Sequence, residues 1–154
     1  MEPIGIGIYD TAAYAADEIQ KAAGGRDVAW HMSNGIEALQ RGVKERQLIS
    51  APQRDSIVRA ALNARDEVLS LFSNPEDRRL ASKGVDAVIG LAILWGEPPA
   101  RRALRHPHVR PDLEAYARVL RNRCHDLALL EEVKSRADDR RAGLVQKMLR
   151  GASA

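Results

Sequence analysis

The sequence predicts an all-α fold: a single-domain bundle of about five to six helices with a short extended N-terminal arm. Three observations predict it. Apolar residues recur at spacings of three and four along most of the chain, the signature of helices that bury one face. Helix-start signals, a small polar residue followed by proline, stand at "SAPQ" (50–53) and "SNPED" (73–77). The single period-two pattern, "IGIGI" at 4–8, is too short and too glycine-rich to be more than an arm or an edge strand. With 154 residues and 45% apolar content, the chain can bury one ordinary core.

Each element follows from local chemistry. The arm occupies 1–8. Asp10 is placed to cap a helix that "TAAYAADEIQKAA" fills with good helix formers and that "GG" at 24–25 stops. A second helix lies within 28–47, with "SNG" at 33–35 a candidate break because glycine weakens a helix interior. Ser50 and Gln53 form a capping box around Pro52, opening a helix that the apolar spacing carries to about Phe72. Ser73 or Asn74 caps the next helix, with Pro75, Glu76 and Asp77 in its first turn. That helix carries the most apolar run, "VDAVIGLAILW" at 85–95, and Gly84 and Gly90 are expected to permit close approach of neighbours. The helical core thus spans 10–95, and "GEPP" at 96–99 ends it.

A proline-rich corner follows at 96–111, where Pro98, Pro99, Pro107 and Pro111 fix φ and rule out a continuous helix. The C-terminal helix then spans 111–150, with a stripe of Leu113, Tyr116, Leu120, Cys124, Leu127, Leu130 and Val133. Unbroken, its 40 positions would reach about 60 Å at 1.5 Å per residue, so a bend near 135–143 is expected. Beyond it, Leu144, Val145, Met148 and Leu149 would dock on the body or on another chain.

Charge is divided along the chain. Residues 1–99 hold 11 Lys and Arg against 14 Asp and Glu, a net of −3; residues 100–154 hold 13 against 7, a net of +6. The excess is concentrated at 101–123, where seven arginines meet only Asp112 and Glu114, a net of +5. Arg101, Arg102, Arg105, Arg110, Arg118, Arg121 and Arg123 are the candidate macromolecule-binding residues, gathered near one corner. Arginine suits bidentate contacts to carboxylate and phosphate, so the corner has the footprint of an acidic protein partner or a nucleic-acid backbone. Aromatic residues make up only 4% of the chain, with Tyr116 alone inside the patch, which argues against a stacking platform for single strands.

Several chemistries are set aside. "GIG" at 5–7 lacks the third glycine of a dinucleotide loop. No nucleophile elbow is present. His106, His108, Cys124 and His125 do not have zinc-ligand spacing, since adjacent Cys and His point about 100° apart on a helix. One cysteine excludes an internal disulfide. No apolar run reaches the roughly 18–20 residues of a membrane span. Arg101 with His106, and Arg118 with His125, are separated by four and six residues. This spacing resembles the R-X4-6-H arrangement of HEPN-type helical ribonucleases, which implies an Arg and a His acting on a scissile phosphate and a 2′-hydroxyl.

The expectation is a cytoplasmic, bacterial-type, non-catalytic regulator or inhibitor that works through a protein partner with an acidic surface. It has no cofactor, no metal, no catalytic residues and no membrane association. A nucleic-acid-binding regulator using the same arginines is the alternative, and a HEPN-like ribonuclease the third reading. The apolar terminal segment allows a homodimer.

Overall fold

The computed structural model describes the backbone over residues 3–96 and 109–153, and side chains over 11–95 and 110–151. Among the described residues there are five helices and no strand: α1 Pro3–Ala23, α2 Val28–Lys44, α3 Ala51–Leu69, α4 Pro75–Gly96 and α5 Val109–Ser153. α1 packs on α2 and α3, α3 on α4, α4 on α5, and α5 returns to α2. This closed circuit surrounds a core in which Ile19, Met32, Ile36, Ile57, Leu91 and Leu120 are buried almost completely. The all-α bundle is therefore as the periodicity predicts.

The N-terminal arm is not extended. α1 begins at Pro3, so residues 3–8 are helical and Asp10 lies within the helix rather than capping it. Adding a turn to a formed helix costs far less than nucleating one, and proline at the first position loses no needed donor, so the Ala-rich segment propagates backward. α1 ends where expected, with Gly24 N–H donating to the Lys21 carbonyl and Gly25 taking a φ of 84°. "SNG" at 33–35 does not break α2. A Cβ at Gly35 would meet Ile19 Cγ1 at 2.6 Å, so the glycine is where α1 and α2 touch.

The capping box of α3 is complete: Ser50 Oγ accepts from Gln53 N–H at 3.2 Å, and Gln53 Oε1 accepts from Ser50 N–H at 2.9 Å. The helix closes at Leu69, one turn before Phe72, which still packs into the core. Asn74 rather than Ser73 caps α4, accepting from Glu76 N–H at 2.8 Å. Both close approaches predicted for α4 are present. A Cβ at Gly84 would meet Leu120, and one at Gly90 would meet Leu113, so the two glycines seat α5 against α4. Trp95, at the end of α4, donates Nε1–H to the Gln47 carbonyl at 2.7 Å and lies over Gly42.

α5 is one helix of 45 residues, about 68 Å long at 1.5 Å per residue, and it is not interrupted at Gly143. Gly143 has no neighbour within 4 Å, so no body surface is present to turn the chain, and a lone helical glycine costs only about 1 kcal/mol. Glu132 and Arg136 pair at 2.6 Å, one turn apart, and support the helix locally. Ala128 is its last buried residue; from 129 to 151 every side chain is exposed. Leu144, Val145, Met148 and Leu149, expected to dock, are not buried by the body: they are 51–72% exposed. The proline-rich corner lies outside the described residues except for Gly96, which ends α4, and Val109–Pro111, which begin α5. No helix among the described residues is long and apolar enough to cross a membrane.

Candidate functional site

The basic residues that the structure brings together sit where the end of α2 meets the start of α5. On α5, residues 110, 114, 118 and 121 are spaced by four, four and three, and so share one face. On α2, Gln40, Val43 and Lys44 fall on the face opposite. The two faces enclose an open groove of about 400 Å³ lined by Gln40, Val43, Lys44, Leu91, Arg110, Glu114, Arg118 and Arg121. Four cations and one carboxylate give its walls a net charge of +3.

Hydrogen bonds hold those walls. Arg121 Nη1 donates to Gln40 Oε1 at 2.7 Å, and Gln40 Nε2 donates to the Glu114 carbonyl at 3.5 Å, so Gln40 joins α2 to α5 at two points. Arg110 Nε donates to Glu114 Oε1 at 3.0 Å. Arg118 and Lys44 are exposed, and neither side chain makes an ion pair or hydrogen bond among the described residues. They are the two cations available to a ligand without breaking an existing contact. Leu91 and Val43, both buried, supply an apolar floor.

The predicted corner is thus divided. Arg110, Arg118 and Arg121 line the groove. Arg123 does not: its Nη1 lies 2.7 Å from Asp77 Oδ1 in the first turn of α4. Two residues past Arg121 is roughly 200° around the helix, which turns Arg123 toward α4 instead of α2. Arg101, Arg102 and Arg105 lie outside the described residues, as do His106 and His108. Lys44 and Gln40 join the site although nothing in their own spacing pointed to it. The only local hint was a lysine in the last turn of α2, ordinary at a negative helix end.

The remaining chemical candidates separate. Cys124 is fully buried against the core, and burial pushes its thiol up to about 12. His125 is exposed on the other side of α5. Among the described residues no three His, Cys, Asp or Glu side chains are grouped to hold a metal. Arg118 and His125 stand two turns apart, about 10 Å along α5, and only Arg118 lines the groove.

A second polar cluster was not visible in the sequence. Glu18 of α1 is 4% exposed, and its carboxylate accepts from Asn34 Nδ2 at 3.1 Å. His31 Nδ1 lies 3.3 Å from both carboxylate oxygens, and Lys21 Nζ lies 3.2 Å from Oε2. The Tyr14 hydroxyl donates at 3.4 Å. Burial works to raise the Glu18 carboxyl, but the hydrogen bonds from Asn34, His31 and Lys21 outweigh it and hold the group below the usual glutamate value. Tyr14 is raised, by burial first and then by the Glu18 charge. With four partners around one carboxylate, the cluster is a satisfied polar clasp between α1 and α2.

No protein-family model, curated protein or solved structure matches this chain. Its class is defined by fold and surface alone: an all-α bundle with a basic α2–α5 groove and a long helix projecting from it.

Proposed function

We propose that the protein is a non-catalytic regulator or inhibitor that captures an acidic segment of a protein partner in the α2–α5 groove. The observation that carries this reading is the combination of two uncommitted cations, Lys44 and Arg118, with an apolar floor of Val43 and Leu91. A carboxylate-bearing side chain with an apolar neighbour fits both, gaining charge-assisted hydrogen bonds above and burial below. A nucleic-acid backbone fits less well. It calls for a continuous track of cations, whereas Glu114 stands in the groove and Arg123 is committed to Asp77.

The test is fluorescence anisotropy with three probes over a salt series: an acidic–apolar peptide, duplex DNA and single-stranded RNA. The peptide is expected to bind, with affinity falling as salt rises, and Lys44→Glu with Arg118→Glu to weaken it at least tenfold. The same pair is expected to cost only about 1 kcal/mol of stability, because neither side chain has a pairing partner to lose among the described residues and Lys44 alone sits at a negative helix end. Tighter binding of DNA or RNA, lost in the same variant, would transfer the groove to the nucleic-acid reading. RNA cleavage abolished by His125→Ala would move the protein to the ribonuclease reading. A peptide affinity indifferent to the charge reversal would remove the groove as the contact surface.

A further inference from the structure

The outer half of α5 has no buried side chain among the described residues. From 129 to 151 every side chain is exposed over about 35 Å, and this stretch presents Leu130, Val133, Leu144, Val145 and Met148 within one broad face. Their exposures run from 51 to 72%. Monomeric proteins rarely leave contiguous apolar surface above a few hundred Å² in water, and a helix gains most of its stability by packing such a face. The body of the same molecule does not cover it, since Ala128 is the last buried residue of α5.

Charge indicates the occupant. Residues 129–139 carry four acidic and two basic side chains, a net of −2, while 140–151 carry four basic and no acidic ones, a net of +4. The boundary falls near the middle of the projecting segment. A copy of the same helix laid antiparallel sets −2 against +4 at both ends, whereas a parallel copy sets like charge on like throughout. We infer that the projecting half of α5 pairs antiparallel with the same segment of a second copy of this chain, forming a two-helix stalk centred near Asp139.

That centre places Leu130 opposite Met148 and Val133 opposite Val145, so apolar residues meet at both ends of the overlap. Near the middle, Ala137 lies opposite Arg141, whose aliphatic stem covers the small side chain while its guanidinium reaches solvent. Ala128 falls opposite residue 150 of the partner. The two bundles therefore stand at opposite ends of the stalk and do not collide. The α2–α5 groove begins in the first three turns of α5, outside the overlap, so pairing presents two grooves in one particle without occupying either.

Sedimentation velocity of the full chain from 1 to 100 µM tests the pairing. A dimer is expected, with a dissociation constant that rises with salt because the complementary charges are exposed. Leu144→Glu with Met148→Glu should weaken it at least tenfold while the far-ultraviolet dichroism of the bundle persists. Orientation is read by oxidation of cysteine variants: an equimolar mixture of Leu130→Cys and Met148→Cys should form the mixed disulfide, and Leu130→Cys alone should not cross-link to itself. A monomer at 100 µM, self-cross-linking of Leu130→Cys, or a dimer untouched by the double glutamate variant would each overturn the inference.

Discussion

Replacing Gly84 by alanine sets a new Cβ 2.6 Å from the Cβ of Leu120, with Leu120 Cδ2 at 2.9 Å. Carbon atoms in ordinary contact stand about 3.5–4.0 Å apart, so the pair must separate by about 1 Å. The Leu120 Cβ is fixed to its backbone and cannot rotate away; α5 itself has to move off α4. A methyl forced into a packed core costs about 1–3 kcal/mol, and alanine returns about 1 kcal/mol of helix propensity. The expected outcome is a net loss of up to about 2 kcal/mol, or up to roughly 8 °C in Tm for a chain of this size. Gly143→Ala is the matched control. It lies in the same helix as Leu120 with nothing within 4 Å, so only the propensity gain operates, and it should increase protection of the projecting segment against hydrogen exchange. Urea unfolding of both variants beside the parent measures the contrast. A midpoint for Gly84→Ala as high as that of Gly143→Ala would refute the claim that this glycine sets the distance between α4 and α5.

Three further outcomes follow from named contacts. Glu18→Gln should destabilise the fold by about 1–3 kcal/mol at pH 7, because it removes the charge that Asn34, His31 and Lys21 all address. Since the folded carboxyl is held below its unfolded value of about 4.3, its contribution is present above that pH and is lost as pH falls through the folded value. Urea titrations of parent and variant should accordingly converge below about pH 4; a gap that persists in acid would mean the clasp acts by shape alone. The Cys124 thiol, buried and raised to about 12, should resist thiol reagents at pH 8 in the native protein and react at once in 6 M guanidinium. Rapid native labelling would show that α5 detaches from the core. Ser50→Ala removes the hydroxyl that accepts from Gln53 N–H, while the backbone N–H that donates to Gln53 Oε1 is kept, and should cost about 1 kcal/mol by denaturant unfolding, whereas Ser73→Ala, beside the true cap Asn74, should cost little.

The helices were legible where a few adjacent residues decide the matter. Ser50 and Gln53 satisfy each other's backbone within one turn, Asn74 and Pro75 start α4 the same way, and glycines within an apolar helix marked where a neighbouring helix would lie close. The extended conformation expected for 3–8 and the separate terminal helix expected after Gly143 are absent for one reason. Period-two alternation and a single glycine are weak local preferences, and a formed helix propagates through both at about 1 kcal/mol per glycine.

The site belongs to the tertiary structure. A net charge of +5 over 101–123 could be counted from the sequence, but the direction of each arginine depends on which neighbour its helix face meets. Arg121 finds Gln40, 81 residues earlier, and Arg123 turns away to Asp77, 46 residues earlier. Lys44 enters the groove only because α2 packs on α5. The Glu18 clasp likewise joins side chains 13 and 16 positions apart across two helices. Sequence determined the elements, because capping and periodicity act over one or two turns. Packing decided which polar groups meet, because that depends on helix faces brought together by apolar burial, which has no direction of its own.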